Sequence, residues 1–70
     1  MRVVEVEAGT KLEQLLKYAG LYESGGLAKR EIQAGLVKVN GAVEERRGRR
    51  LKDGDIIEAA GAKIEVKVVE

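Results

Sequence analysis

The chain contains no cysteine, histidine, proline, phenylalanine or tryptophan. Without thiols and imidazoles it has no disulfides, no thiolate or imidazole metal ligands, and none of the usual nucleophile and proton-shuttle pairs. The groups left to do chemistry are carboxylates, lysines, Ser24, Thr10, Tyr18 and Tyr22, and no spacing among them sets an acid beside a base. The sequence therefore predicts a binder and not an enzyme, with no catalytic residue, metal, cofactor or small-molecule substrate. The lack of disulfides fits the cytoplasm. No apolar stretch of signal-peptide length follows Met1, and nowhere do about eighteen uncharged apolar residues run together, so a soluble cytoplasmic protein with no membrane partner is expected.

What is present is aliphatic and heavily charged. Seventy residues leave room for one hydrophobic core, so residues 1–70 are expected to form one domain, as a monomer. Its core must come from seven Leu, nine Val and four Ile. Each contributes roughly 1.5–3 kcal/mol when fully buried, and ordering the backbone offsets most of that at roughly 1–2 kcal/mol per residue. The formal charge of +1 conceals an asymmetry. From Ala28 to Lys52, eight basic residues stand against Glu31, Glu44 and Glu45, a local charge of +5 that leaves −4 for the rest of the chain.

Val4-Glu5-Val6-Glu7 alternates with a period of two and reads as a half-buried strand. Ala8-Gly9 breaks the pattern, and Thr10 is expected to cap a helix starting at Lys11, with Glu13 completing a capping box. Leu12, Leu15, Leu16 and Ala19 form one apolar stripe, after which Gly20 suits a C-terminal cap. Ser24 opens a second helix over Gly25–Ala34, with Leu27, Ala28 and Ile32 on its apolar face, Lys29, Arg30 and Gln33 on the other, and Gly35 as its stop. Val37-Lys38-Val39, Asn40-Gly41 and Ala42-Val43 spell a hairpin with a type I′ turn. A strict two-residue loop would pair Val43 with Lys38 and mix polarity on one face, so the register leaves room for a bulge. Lys52-Asp53-Gly54-Asp55 is a tight turn before the strand Ile56-Ile57-Glu58, and Gly61 turns the chain again. In the last strand Ile64, Val66 and Val68 alternate with Lys63, Glu65 and Lys67. The order β-α-α-β-β-β-β implies an α+β domain, two helices packed on a small, mainly antiparallel sheet of about four to five strands.

Ser24-Gly25-Gly26-Leu27-Ala28-Lys29, Ile32, Gly35-Leu36-Val37-Lys38-Val39-Asn40-Gly41 and Gly54-Asp55-Ile56-Ile57 follow one another over about half the chain. In these segments the sequence resembles the ribosomal-protein S-four type of RNA-binding domain, whose αL motif is a pair of helices leading into a strand and turn. Ser24-Gly25-Gly26 together with Arg46-Arg47-Gly48-Arg49-Arg50-Leu51 is similar to the small free-standing bacterial branch of that family, the YbcJ and YaaA type. The resemblance implies RNA binding, as in ribosomal proteins, tRNA synthetases, RNA-modifying enzymes and heat-shock factors. Many members carry Arg just after the serine that opens the second helix. Gly25 stands there, so that phosphate contact does not carry over, and Lys29 and Arg30 are the candidates to replace its charge.

The residues make a parallel physical case. The candidate RNA-binding set is Lys29, Arg30, Lys38, Arg46, Arg47, Arg49, Arg50 and Lys52, with Ser24, Gly25 and Gly26 as a further phosphate contact at the helix start. Arg46, Arg47, Arg49 and Arg50 surround Gly48 in what reads as a flexible cationic loop, and their planar forks suit phosphate oxygens. This loop and the outward side of the second helix are expected to converge into a continuous cationic platform beside the sheet. With only two tyrosines for stacking, structured RNA is expected over single strands, ribosomal or transfer RNA first, with the ribosome or another protein as further partners. Each feature has a plainer reading: the arginines as a solvated loop, Lys29 and Arg30 as a solubilising helix face, Ser24 as a cap, Asn40-Gly41 as a turn device. Asp53 and Asp55 are too few for a calcium site and read as turn residues. The alternative function is a protein-interaction or regulatory module working with DNA-associated machinery.

Overall fold

The computed structural model describes residues 1–69. Its elements follow in the order β1 (Arg2–Glu7), α1 (Leu12–Tyr18), α2 (Gly25–Gln33), β2 (Lys38–Val39), β3 (Ala42–Val43), β4 (Ile56–Ala59) and β5 (Ala62–Val69). The period-two alternation builds the long strands. β1 and β5 pair in parallel with Val4 opposite Val66 and Val6 opposite Val68, which turns Val4, Val6, Ile64 and Val66 into the core and leaves Glu5, Glu65 and Lys67 exposed. The sheet runs β1-β5-β4-β2-β3, and every pairing except β1 with β5 is antiparallel. Among the described residues no helix is long and apolar enough to cross a membrane.

The two helices cover the apolar face of this sheet. Leu12, Leu15, Leu16 and Ala19 are buried along α1, and Ala28 and Ile32 along α2, where they meet Val37, Val39, Leu51 and Ile57 in a single cluster. Both helices end the same way: Gly20 and Gly35 have φ of 76° and 81°, and the N–H of the next residue reaches back to the carbonyl five residues earlier, Leu21 to Leu16 and Leu36 to Glu31, both at 3.1 Å. The start of α1 differs from the expectation. Thr10 does not cap it, since its hydroxyl donates to the Glu7 carbonyl at 2.7 Å, and Lys11 is the flanking residue, its N–H donating to Gln14 Oε1 at 2.9 Å. The physical reason is tertiary: the chain around Arg50 runs antiparallel beside Lys11, and the first helical amides, Leu12 and Glu13, donate to the carbonyls of Arg49 and Arg47 at 2.8 and 3.2 Å. A remote backbone does the work assigned to the threonine, and the Gln14 side chain does that assigned to Glu13.

The hairpin register is also stricter than expected. Asn40 and Gly41 have φ of 53° and 84°, and Lys38 faces Val43 directly, with no bulge. The mixed polarity is tolerated because Lys38 and Val43 share the sheet face turned away from the helices, where both are exposed.

Beyond its turn, Asn40 ties the hairpin to the rest of the sheet. Its N–H donates to the Ile56 carbonyl at 2.7 Å, its Oδ1 accepts from the Ile56 N–H at 2.9 Å, and its Nδ2 donates to Asp55 Oδ1 at 3.0 Å. Asp55 is only 6% exposed, and its other oxygen accepts from the Lys52 N–H at 2.8 Å and from Arg49 Nη1 at 3.1 Å. Burial alone would push this carboxyl up, but the hydrogen bonds from Lys52, Asn40 and Arg49 outweigh it and bring it below its ordinary value.

A carboxyl whose folded pKa is depressed contributes stability above its unfolded pKa of about 3.9 that is lost as pH falls through the lower folded value. Urea denaturation across this range should show stability declining below about pH 4. Asp55→Asn should lower stability near neutrality by roughly 1–3 kcal/mol and flatten that acid decline.

Candidate functional site

The arginine-rich segment leaves β3 at Glu44 and returns to the core at Leu51, which is 5% exposed. It is anchored along its backbone rather than flexible. Arg49 N–H closes a turn onto the Arg46 carbonyl at 3.2 Å, the carbonyls of Arg47 and Arg49 receive the amides that open α1, and Leu51 N–H donates to the Thr10 carbonyl at 2.9 Å. With the main chain committed inward, the side chains are free to differ in fate.

Arg46 lies over Glu44: its Nε is 3.0 Å from Oε2, its Nη2 3.1 Å from Oε1, and its own N–H donates to Oε2 at 3.2 Å. Arg49 is bound between two carboxylates, with Nε 3.0 Å from Glu44 Oε1 and Nη1 3.1 Å from Asp55 Oδ2, and its side chain is only 22% exposed. The Arg46 hydrogen bond holds the Glu44 carboxyl below its ordinary value; burial opposes this, and the Arg46 N–H and the charges of Arg46 and Arg49 add to it. Arg50 is exposed and donates from Nη1 to the Gly9 carbonyl at 3.3 Å. Arg47 is exposed and has no carboxylate partner within ion-pair distance among the described residues.

A shallow depression opens where this segment meets the two helices, lined by Glu13, Gln14 and Lys17 of α1, Gly25, Gly26 and Lys29 of α2, and Arg47. The fold thus brings together four of the residues singled out from sequence, Gly25, Gly26, Lys29 and Arg47, and adds Lys17. Lys17 was missed because its sequence neighbourhood is a plain polar helix face; only the crossing of α2 and the arginine segment gives it company. Ser24 acts as the helix cap, its Oγ accepting from the Leu27 N–H at 3.1 Å. Arg30 is exposed on α2 but does not line the depression.

The continuous platform expected from sequence does not form. Lys38 points to the opposite face of the sheet, across from Glu58, which itself faces Lys63. The alternation that buries Val39 requires this. Lys52 sits exposed in the turn before β4, with its N–H given to Asp55. Arg46 and Arg49 are held by acids that the charge count had treated as mere subtraction.

The chain matches the S4 domain family model over residues 5–67. It is 44% identical over 50 residues to RlbA of Bacillus subtilis, a protein named for ribosome maturation, covering 71% of this chain and 70% of that one. It is 43% identical over 56 residues to YbcJ of Escherichia coli, a protein named for RNA binding, covering 80% of each. The solution structure of YbcJ superposes with a TM-score of 0.74 at 36% identity, covering 97% of this chain and 89% of YbcJ, whose αL motif is described as involved in RNA binding. Heat Shock Protein 15 of Vibrio cholerae shares the fold at 20% identity and a TM-score of 0.75, with 87% of this chain spanning 65% of that one, just under two thirds of its length.

Two arginines two positions apart should therefore behave as different kinds of residue. Arg49→Ala strips a donor from two carboxylates and should cost roughly 1–3 kcal/mol of stability, whereas Arg47→Ala should stay within about 0.5 kcal/mol of the parent. Urea midpoints of the two variants check the contrast.

Proposed function

Because the chain belongs to the S4 domain family, which its match over residues 5–67 establishes, we propose that it binds structured RNA without catalysing a reaction on it. The observation that carries this reading is the depression where Lys17, Lys29 and Arg47, from three separate segments, surround the start of α2. At that start Gly25 and Gly26 present backbone with no side chain in front of it, and neither of their amides has a protein acceptor among the described residues. Free amides at a helix start attract anions, and three cations around them neutralise the phosphate that comes to rest there. Arg30, Arg50 and Lys52 are exposed outside the depression and add to the positive charge available to a polyanion.

The RNA is double-stranded or compactly folded, of the ribosomal or transfer class. Base stacking has little to work with: Tyr22 packs partly buried against the core, and Tyr18 lines a separate groove beside β1. Recognition then falls to phosphates and to shape, the mode suited to an A-form helix whose major groove side chains read poorly. The names of RlbA and YbcJ, ribosome maturation and RNA binding, agree with this assignment.

Fluorescence anisotropy with an RNA hairpin at several salt concentrations tests the reading. Replacing Lys17, Lys29 and Arg47 together by Ala should weaken binding by roughly tenfold or more and reduce the salt slope by about two. Lys38→Ala, on the far face, should leave both unchanged. Equal, weak binding to the hairpin, duplex DNA and heparin would overturn the assignment to RNA.

A further inference from the structure

Glu44 occupies a position that a phosphate would be expected to take. Its carboxylate receives the Nε and Nη2 fork of Arg46 on both oxygens, the Arg46 N–H, and the Nε of Arg49. Its backbone is fixed as well, since its N–H donates to the Val37 carbonyl at 3.0 Å, and its side chain is 13% exposed. Two-point donation from a guanidinium to two oxygens is the geometry by which arginine holds carboxylate and phosphate alike.

The two arginines are held with unequal strength. Arg49 has a second carboxylate, Asp55, and little access to water, so it stays with the framework. Arg46 is 77% exposed and has Glu44 as its one acidic partner among the described residues. An ion pair so open to solvent is weak and screened by salt. It can be exchanged for another anion without disturbing the fold.

We infer that Glu44 is a built-in counterion that occupies the phosphate fork of Arg46, and that bound RNA gains this arginine only by displacing it. The inference rests on the proposed RNA binding. It means that Arg46, Arg49, Glu44 and Asp55 form a charge-balanced group, so the segment presents Arg47 and Arg50 as its uncompensated cations and holds Arg46 in reserve. A lone anion competes poorly with an intramolecular carboxylate already in place. A phosphate carried by an RNA that is also docked on Lys17, Lys29 and Arg47 arrives at high local concentration and takes the fork. Glu44 thus favours ligands with an ordered array of phosphates over isolated ones.

The test compares Glu44→Gln, Glu45→Gln and Arg46→Ala in the full chain, with stability followed by urea denaturation. Glutamine keeps an acceptor for Arg49, so E44Q should remain folded. It should bind an RNA hairpin roughly two- to fivefold tighter, with a salt slope steeper by about 0.7–0.9, the signature of one more phosphate contact. E45Q removes an equal charge from the adjacent exposed residue and should gain less. In the R46A background the E44Q gain should vanish. A gain that persists there, or that E45Q matches, would show Glu44 to be a general repulsive charge and overturn the inference. Heparin affinity of the same variants separates this outcome from failure of the RNA assignment: a heparin gain that depends on Arg46, without RNA binding, refutes the RNA reading alone, and no gain on either polyanion refutes the role of Glu44.

Discussion

Much of this structure depends on one buried carboxylate. Asp55 accepts from the side chain of Asn40, the guanidinium of Arg49 and the backbone of Lys52, and so joins the hairpin turn, the arginine segment and the turn before β4 at a single point. Burying a charge is costly unless it is paired and hydrogen-bonded, and here the donors come from three parts of the chain. The arrangement explains why the Asn40-Gly41 and Gly54-Asp55 pairs belong together although they lie far apart in sequence. One supplies an amide that bonds both Asp55 and Ile56, and the other supplies the acceptor.

From Asp55 the dependence runs outward to the candidate site. Arg49 is held by Asp55 and Glu44, and the carbonyls of Arg47 and Arg49 accept the first amides of α1. The segment from Arg46 to Arg50 is therefore a helix cap as much as a cationic surface. Its residues divide by which of their groups the fold consumes. Arg49 gives its side chain to the framework, Arg47 gives only its carbonyl and keeps its side chain in water, and Arg46 stands between, with its fork on a carboxylate that solvent can reach.

The parts of the fold that were legible in the sequence are those set by local pattern. The leucine stripe of α1, the Ser24 cap, the Asn40-Gly41 turn and the alternation of β5 each need only a few neighbouring residues to specify them, and each stands in the structure. What was not legible depends on partners remote in sequence. The helix start moved past Thr10 because the carbonyls that cap it belong to Arg47 and Arg49. β1 joined the sheet in parallel with β5, a pairing of the first and last strands that no short-range signal encodes. For the candidate site the limit was similar. Charge counting singled out the arginine segment as a whole, but a sum cannot tell Arg47 from Arg49, because that difference lies in where two carboxylates sit. Lys38 was grouped with the others by sequence proximity, and the pleat of β2 sends it to the opposite face.

This division of labour bears on how so small a domain could recognise a large polyanion. A cation on a mobile loop loses backbone as well as side-chain freedom when it meets a phosphate, and the backbone part alone costs roughly 1–2 kcal/mol per ordered residue. Here the backbone of Arg47 is already fixed by its bond to the first turn of α1, the same helix that carries Lys17, while Lys29 and the glycines sit on α2 against it. The spacing of the three cations is thus set by helix packing that exists before any ligand arrives, and only side-chain rotamers remain to be ordered. In the proposed RNA-binding role such a spacing would select phosphates by their separation, which differs between compact and extended nucleic acid. That selectivity needs neither aromatic platforms nor base contacts, and a chain with two tyrosines and no other aromatic residue has little access to either.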